Sequence, residues 1–361
     1  MLSDLFDQTQ LQMAQSECVY QRTYDFADLG IQVFSNHESL LMALDQYYKS
    51  YIDQAQASQY LELYVIEQAV LGEELGWLEV PREAGKTGRK EGYLDAWSGA
   101  RWIKKFKTGL TLLQSCQTPT VVGPCMANLA QVVNFINNQC LNHYLSQSYE
   151  LGHASAFTRN GKVTAIAAGS GGGKSTLMLR CLENTARDFI TNDRLLFKRA
   201  GERVHAVGIA KLPRVNPGTL LNSERLQHIL PPERQQALRE LSKAELWSLE
   251  EKYDVQIEDE YGIGRVATDG ALAHLVMLDW SLDSTEPTQL LPVDLSAEAE
   301  EIDGLRKRPG PFYQNQSGEF CTDLNELAPL SQYCQTLAPV KVYRLIGQID
   351  FDRAFELLES L

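Results

Sequence analysis

The spacing of apolar residues changes several times along the chain, and these changes predict where strands give way to helices. Residues 19–26 alternate apolar and polar side chains and predict a strand behind a polar N-terminal helix. From 39 to 51 the spacing becomes helical, with Leu40, Leu41, Leu44 and Tyr48 on one side. Residues 61–66, 77–80 and 108–113 read as further strands around a charged, glycine-containing loop at 82–92. A longer helical pattern follows at 127–145, carried by Leu129, Val132, Val133, Phe135, Ile136, Cys140 and Leu141. Together these elements predict an N-terminal α+β domain over residues 1–148.

The remainder, residues 149–361, reads as an α/β domain. A strand at 152–157 meets Asn160-Gly161, a pair that favours the positive φ values of a tight hairpin turn, and an apolar run returns at 163–167. Residues 177–182 read as helix, and 189–191 as a short strand ending at Asn192-Asp193-Arg194. That strand is expected to pair beside the 163–167 strand. A second hairpin is predicted around Ala200-Gly201, then an irregular proline-bearing loop at 211–218 and a charged helical stretch at 222–251. Residues 272–280 form an apolar strand with Asp279 near its end. An acidic surface loop at 284–300, a basic turn at 306–312, a strand at 340–346 and a helix from Phe351 complete the pattern.

The 163–167 strand and the 177–182 helix are joined by Ala168-Gly169-Ser170-Gly171-Gly172-Gly173-Lys174-Ser175-Thr176, the strand–loop–helix setting of a phosphate-binding loop. Glycines let successive backbone N–H groups turn inward on phosphate oxygens, and the helix points its positive end at the same anion. Gly169 through Gly173, with Lys174, Ser175 and Thr176, are therefore the candidate nucleotide-binding residues. Lys174 supplies a point charge for the β- and γ-phosphates, and the Ser175 hydroxyl suits a Mg²⁺ that bridges them. Ala168 replaces the opening glycine of the strict motif. A Gly/Ser linker is a poor alternative, because Lys-Ser-Thr leads at once into an apolar helix.

Composition narrows the partners. The formal net charge of −14 argues against nucleic acid, whose phosphates require clustered Lys and Arg. The short basic run Lys104-Lys105-Phe106-Lys107 is expected to be a solvated strand face. Seven scattered cysteines without a Cys-x-x-Cys pair fit reduced thiols rather than a disulfide framework or zinc site, and the six histidines lack metal-ligand spacing. The first residues carry acid where a secretory leader needs base, and no apolar run approaches a membrane span. A cytoplasmic protein with no membrane partner is the expectation, and self-association is left open.

Beyond the loop, Asp193 is the leading acid. A carboxylate ending a strand that follows the phosphate-loop helix can hold Mg²⁺ directly or through water, although Asn-Asp also favours plain turns. Asp279 competes for that role and ranks lower, since Trp280 follows where a hydrolytic NTPase would carry Glu. His153, just upstream of the hairpin, suits proton transfer or a phosphate contact, although a histidine standing alone is more often structural. Arg194, Lys211 and Arg214 are cations able to offset transition-state charge, or ordinary surface groups.

These residues carry a resemblance. Gly152-His153-Ala154-Ser155, the hairpin, the Gly-Ser-Gly-Gly-Gly-Lys-Ser-Thr loop and Asn192-Asp193-Arg194 stand in an order similar to HPr kinase/phosphorylase and its relatives. The chain further resembles the HPr kinase-related group called type B, through Gly123-Pro124-Cys125, Asn134-Phe135-Ile136-Asn137, the run from Lys211 to Leu220, Glu251-Lys252-Tyr253-Asp254-Val255 and Pro309-Gly310-Pro311-Phe312-Tyr313. The resemblance implies a P-loop kinase core similar to that of phosphoenolpyruvate carboxykinase, using ATP and Mg²⁺ to phosphorylate a hydroxyl, Ser in the family, on a protein or peptide partner. It further implies that His153 and an acidic pair serve the reaction. Here the pair is Asn192-Asp193, keeping only the second carboxylate as metal ligand. Two other readings stand beside it: a P-loop ATPase, which lacks here an Asp-Glu pair and a Leu-Ser-Gly-Gly-Gln signature, and a nucleotide-sensing protein without catalysis.

Overall fold

The computed structural model describes residues 5–52, 57–72, 75–81, 88–169, 172–249, 251–315, 317–321 and 323–361. The protein is a mixed α/β chain that divides into two compact units, Met1–Tyr149 with Arg308–Leu327, and Glu150–Lys307 with Ala328–Leu361. Residues 308–327 thus belong with the first unit, whereas the sequence pattern assigned them to a domain spanning 149–361. Two contacts explain the return. The Phe312 ring meets Phe135 edge-on at 5.6 Å, and the buried Gln314 amide accepts from Gln114 at 3.1 Å and donates to the Gly99 carbonyl at 3.0 Å. Neither contact leaves a periodic signal in a stretch this irregular.

The first unit holds strands β1 (Tyr20–Phe26), β2 (Leu29–Ser35), β3 (Gln59–Glu67), β4 (Leu78–Glu79), β5 (Glu91–Asp95), β6 (Ala100–Lys105), β7 (Thr111–Ser115) and β8 (Thr120–Gly123). They form one sheet in the order β1-β2-β3-β8-β7-β6-β5-β4. Helix α1 (Gln8–Ser16) contributes Leu11 to a cluster with Ile66, Trp102, Leu113 and Val122, while α2 (Glu38–Tyr47) and α3 (Leu129–Ser146) pack on each other and on β2. Within the expected loop at 82–92, residues 82–87 lie outside the described residues. The basic run is not a solvated face. Lys104 is 2% exposed, and its ammonium donates to the Leu71 and Gly109 carbonyls at 2.6 and 2.9 Å. Lys105 pairs with Glu91 across the β5–β6 ladder. A buried ammonium needs such acceptors, and loop carbonyls that no local pattern reveals supply them.

The second unit is built on β9 (Glu150–Gly152), β10 (Ala154–Arg159), β11 (Lys162–Ala167), β12 (Asp188–Thr191), β13 (Leu195–Ala200), β14 (Arg203–Gly208), a small ribbon of β15 (Arg214–Val215) and β16 (Tyr253–Asp254), β17 (Asp269–Ser281), β18 (Gln289–Val293) and β19 (Lys341–Gln348). Its main path runs β12-β10-β11-β17-β14-β13-β9, with β19 pairing β17 and β18. β10 and β11 turn through Asn160 and Gly161 at φ 52° and 73°, the hairpin the sequence signals. β12 does not pair beside β11 as expected; β10 stands between them. Because β10 is antiparallel to both, β11 and β12 run the same way. β17 is parallel to β11, so three carboxyl ends and the start of β10 meet at one sheet edge.

Helices α4 (Lys174–Cys181), α5 (Pro217–Leu221), α6 (Pro232–Arg239), α7 (Lys243–Ser248), α8 (Ile257–Tyr261), α9 (Leu330–Leu337) and α10 (Phe351–Leu358) complete the unit. The two faces of the strands feed two separate cores: Ile166, Val276 and Leu345 pack with α4 and α10, while Ala165, Leu275 and Val342 pack with Ile302 and Leu337. Each fully buried aliphatic side chain here stabilises by about 1.5–3 kcal/mol. The predicted helical stretch at 222–251 is instead the two short helices α6 and α7, the first opening on Pro231-Pro232. The acidic loop at 284–300 contains β18, whose Pro292 is tolerated on a strand that pairs only with β19. No described helix is long and apolar enough to cross a membrane.

Gly208 ends β14 against the strand that leads to Asn192. A Cβ there would lie 2.1 Å from the Ile190 carbonyl oxygen. Gly208→Ala is therefore expected to lower stability by about 1–3 kcal/mol, the scale of an overpacked core, read as a shifted midpoint in urea denaturation. An unchanged midpoint contradicts this packing.

Candidate active site

The sheet edge explains how separate stretches of sequence converge. Register pairs Ala154 with Ala167, so His153 falls beside Ala168, the entry to the phosphate loop. Register also pairs Ala156 with Thr191, which brings Asn192 and Asp193 alongside Ser155. The His153 backbone N–H donates to the Leu305 carbonyl at 2.7 Å, and that bond draws Lys307 to the same edge.

Of the phosphate loop, Ser170 and Gly171 lie outside the described residues. Gly173 caps α4 at φ 90°, a left-handed conformation, and a Cβ on it would meet the Phe351 ring at 3.1 Å. At Gly172 a Cβ would stand 2.7 Å from that of Ala168, so the curve tolerates only glycine. The Trp280 indole donates to the Gly172 carbonyl at 2.9 Å and stacks edge-on against Phe351, buttressing the loop from outside. The residue that seemed out of place for an NTPase thus supports the loop.

Lys174 is folded back over its own loop, donating to the Ala168 and Gly169 carbonyls, both at 3.1 Å. Burial, with help from Lys307, lowers its pKa to about 8, while Asp193 opposes the shift. Ser175 donates to Asn192 Oδ1 at 2.6 Å, and Ser155 donates to the same oxygen at 3.0 Å. Thr176 meets Thr219 hydroxyl to hydroxyl at 2.7 Å. From Gly172–Thr176 outward runs a cleft of about 1580 Å³ whose walls include Arg214, Thr219, Trp247 and Phe351. These backbone amides, glycines and Lys174 fit a nucleotide's phosphates. The hard oxygens of Ser175 and Asn192 fit Mg²⁺ beside them.

Asp193 sits at φ 81°, an uncommon conformation for a residue with a Cβ. The Thr191 hydroxyl holds its turn, 2.7 Å from the Arg194 carbonyl and 2.9 Å from that of Ile209. One Asp193 oxygen lies 3.2 Å from His153 Nε2 and 3.7 Å from Lys307 Nζ; the other lies 2.9 Å from Lys211 Nζ and 3.8 Å from Arg194 Nε. Burial by itself would raise this carboxyl. The His153 hydrogen bond and the Lys211 and Lys307 charges override it and hold Asp193 well below the usual carboxylate range. Sequence reasoning cast Asp193 as a metal ligand; both its oxygens face protein cations.

His153 feels opposing influences. Its hydrogen bond to Asp193 raises the pKa, but burial and the Lys307 and Lys174 charges lower it further, to below the ordinary 6.5. The shift favours the neutral imidazole at pH 7. Asp193 can only accept, so Nε2 carries the hydrogen and Nδ1 the lone pair.

Asp279 is placed differently. It follows Met277 on the side of β17 opposite Trp280, is 65% exposed, and lies 3.7 Å from Arg344. Arg214 pairs with Asp254 at 3.0 Å on the β15–β16 ribbon, away from Asp193. Lys307 is the residue the sequence did not single out; its only mark was membership of a basic turn before Pro-Gly. Among the described residues, no group of three His, Cys, Asp or Glu is placed to hold a metal ion.

No known protein family matches the chain, and no curated protein matches it. Among solved structures, the Hpr(Ser) kinase/phosphatase from Coxiella burnetii is similar to it at 10% identity and a TM-score of 0.29, over 58% of this chain and 89% of that one.

The charge balance around His153 is open to direct measurement. Its imidazole protons, followed by NMR against pH, should titrate with a midpoint below 6.5. Lys307→Gln should move the midpoint up, by removing a repelling charge, and Asp193→Asn should move it down. A midpoint above 6.5, or shifts of the reverse sign, contradicts the arrangement.

Proposed function

We propose that the chain is a Mg²⁺- and ATP-dependent phosphotransferase that moves the γ-phosphoryl group to a hydroxyl, the Ser of a protein or peptide partner. The observation that carries the reading is the meeting of two kinds of machinery at one sheet edge. Lys174, heading α4 on a glycine loop, lies within electrostatic reach of a neutral His153 whose Nε2–H is held by an ionised Asp193. A site built only to hold nucleotide has no use for the second part.

Phosphoryl transfer has a loose transition state and depends mainly on positioning and charge neutralisation. Backbone amides at the start of α4 and Lys174 hold the phosphates and take up the charge that develops toward the leaving ADP. As the acceptor oxygen bonds to phosphorus and the bond to the β-phosphate oxygen breaks, the hydroxyl proton has to leave. His153 Nδ1 is the base proposed for it. Asp193 fixes the ring's tautomer and stabilises the imidazolium that forms, the logic by which a carboxylate orients a catalytic histidine. Mg²⁺, when bound through Ser175, neutralises phosphate charge. Asn192, neutral and carbonyl-directed toward two hydroxyls, positions Ser175 rather than accepting a proton.

The test is transfer from γ-labelled ATP to proteins that co-purify with the chain, followed by phosphoamino-acid analysis. Phosphoserine on a partner supports the proposal. Release of free phosphate alone indicates an ATPase, and tight ATP binding without turnover indicates a sensor. Lys174→Ala should remove most ATP affinity while the protein stays folded, as read by calorimetry and circular dichroism. Because His153 has to be neutral to accept a proton, kcat/KM should rise with pH through a midpoint below 6.5 and level off by neutrality. His153→Gln should flatten that limb and lower turnover by about 10²-fold or more, the scale of a lost general base. A variant that keeps both the rate and the limb removes the histidine from the mechanism.

A further inference from the structure

Ser155 is a hydroxyl on an otherwise apolar face of the sheet. It pairs in register with Ile166 and stands two residues before Phe157, and both of those side chains belong to the core that α4 packs into. Positions related in these ways share one face, so Ser155 projects toward α4 with them. The residue is wholly buried. A hydroxyl taken out of water needs an acceptor, and the one it meets is Asn192 Oδ1 at 3.0 Å.

That oxygen also accepts from the Ser175 hydroxyl at 2.6 Å. One amide oxygen therefore bridges β10 and the first turn of α4. Asn192 itself is only 5% exposed, in the turn that follows β12. The direction of these bonds matters, because a carboxylate accepts at both ends whereas a carboxamide accepts at one and donates at the other. With Oδ1 toward it, the Ser175 hydroxyl donates and keeps its lone pairs for a cation. With the amide turned over, an N–H group would donate to Ser175 and occupy one of those lone pairs. Ser175 alone does not choose between the two, since a hydroxyl donates and accepts equally well. Ser155 supplies the choice: turning the amide would deprive a buried hydroxyl hydrogen of its acceptor.

We infer that Ser155 is a positioning residue, a latch that holds the Asn192 carboxamide oxygen-first and so keeps the Ser175 hydroxyl ready to ligate Mg²⁺. The step rests on the reading of Ser175 as part of a Mg²⁺–nucleotide site. Ser155 acts only through Asn192. A carboxylate at position 192 would present an acceptor to Ser175 in either orientation and would need no latch. The dependence on Ser155 is therefore a consequence of the amide.

The test is Mn²⁺ binding, with Mn²⁺ as the probe for Mg²⁺ and its free EPR signal as the readout, on the full chain in excess over AMP-PNP. Ser155→Ala should weaken Mn²⁺ binding by about three- to tenfold, the scale of one hydrogen bond. Its affinity for AMP-PNP without metal should stay essentially unchanged, and circular dichroism should report the same fold. In an Asn192→Asp background the same Ser155→Ala change should cost less than about twofold, because the carboxylate is indifferent to its orientation. Equal Mn²⁺ affinity in wild type and Ser155→Ala overturns the latch while the nucleotide reading stands. An equal loss in both backgrounds also overturns it, since it makes Ser155 a general packing residue. If the wild-type chain does not bind AMP-PNP, the nucleotide reading falls and takes the latch with it.

Discussion

The Asp193 carboxylate is the contact around which the charged groups at this edge of the second unit are arranged. It is held in a left-handed backbone conformation that costs on the order of 1–3 kcal/mol, and the Thr191 hydroxyl secures the turn that holds it there. In exchange it gathers His153, Lys211, Lys307 and Arg194 around one point. These groups come from four separate stretches of chain, and four cationic or hydrogen-bearing nitrogens would not approach one another without a shared anion. Asp193 also decides the state of His153, fixing Nε2 as donor. The lysines around it push the ring toward its neutral form.

That point exists because of a single topological choice. An antiparallel strand, β10, lies between the phosphate-loop strand and β12, and it brings its own first residues to the edge where the other two end. Ligands of α/β sheets gather at the carboxyl ends of parallel strands. Here an inserted antiparallel strand adds the residues just before its start, Gly152 and His153, to that edge. Trp280, leaving β17 at the same edge, closes the phosphate loop from outside through its bond to Gly172.

Much of this was legible in the sequence where the signal is local. The hairpin at Asn160-Gly161, the phosphate loop with its helix, and the apolar strand over 272–280 follow from short-range rules of turn chemistry and periodicity. So did the candidacy of His153 and Asp193, because each stands next to an element end that such rules locate. What stayed hidden is set by long-range pairing. Nothing local tells that β12 pairs with β10 instead of β11, that Lys307 is drawn in by the His153–Leu305 hydrogen bond, or that residues 308–327 return to the first unit. Lys104 makes the same point: its run of lysines looks solvated, and the carbonyls that accept from it lie on loops that periodicity does not describe. The support that the Trp280 indole gives the loop backbone is likewise a long-range contact with no local signature.

The central claim is that phosphate loop and Asp193 cluster form one reaction centre. The most direct measurement is a crystal structure of the full chain with AMP-PNP and Mg²⁺. The account predicts that Lys174 leaves the Ala168 and Gly169 carbonyls for the phosphates, and that the γ-phosphate lies between Lys174 and His153 with the Asp193 cations beyond it. A triphosphate seated along the cleft with its γ-phosphate out of reach of His153, and Lys174 still bonded to its own loop, would contradict it.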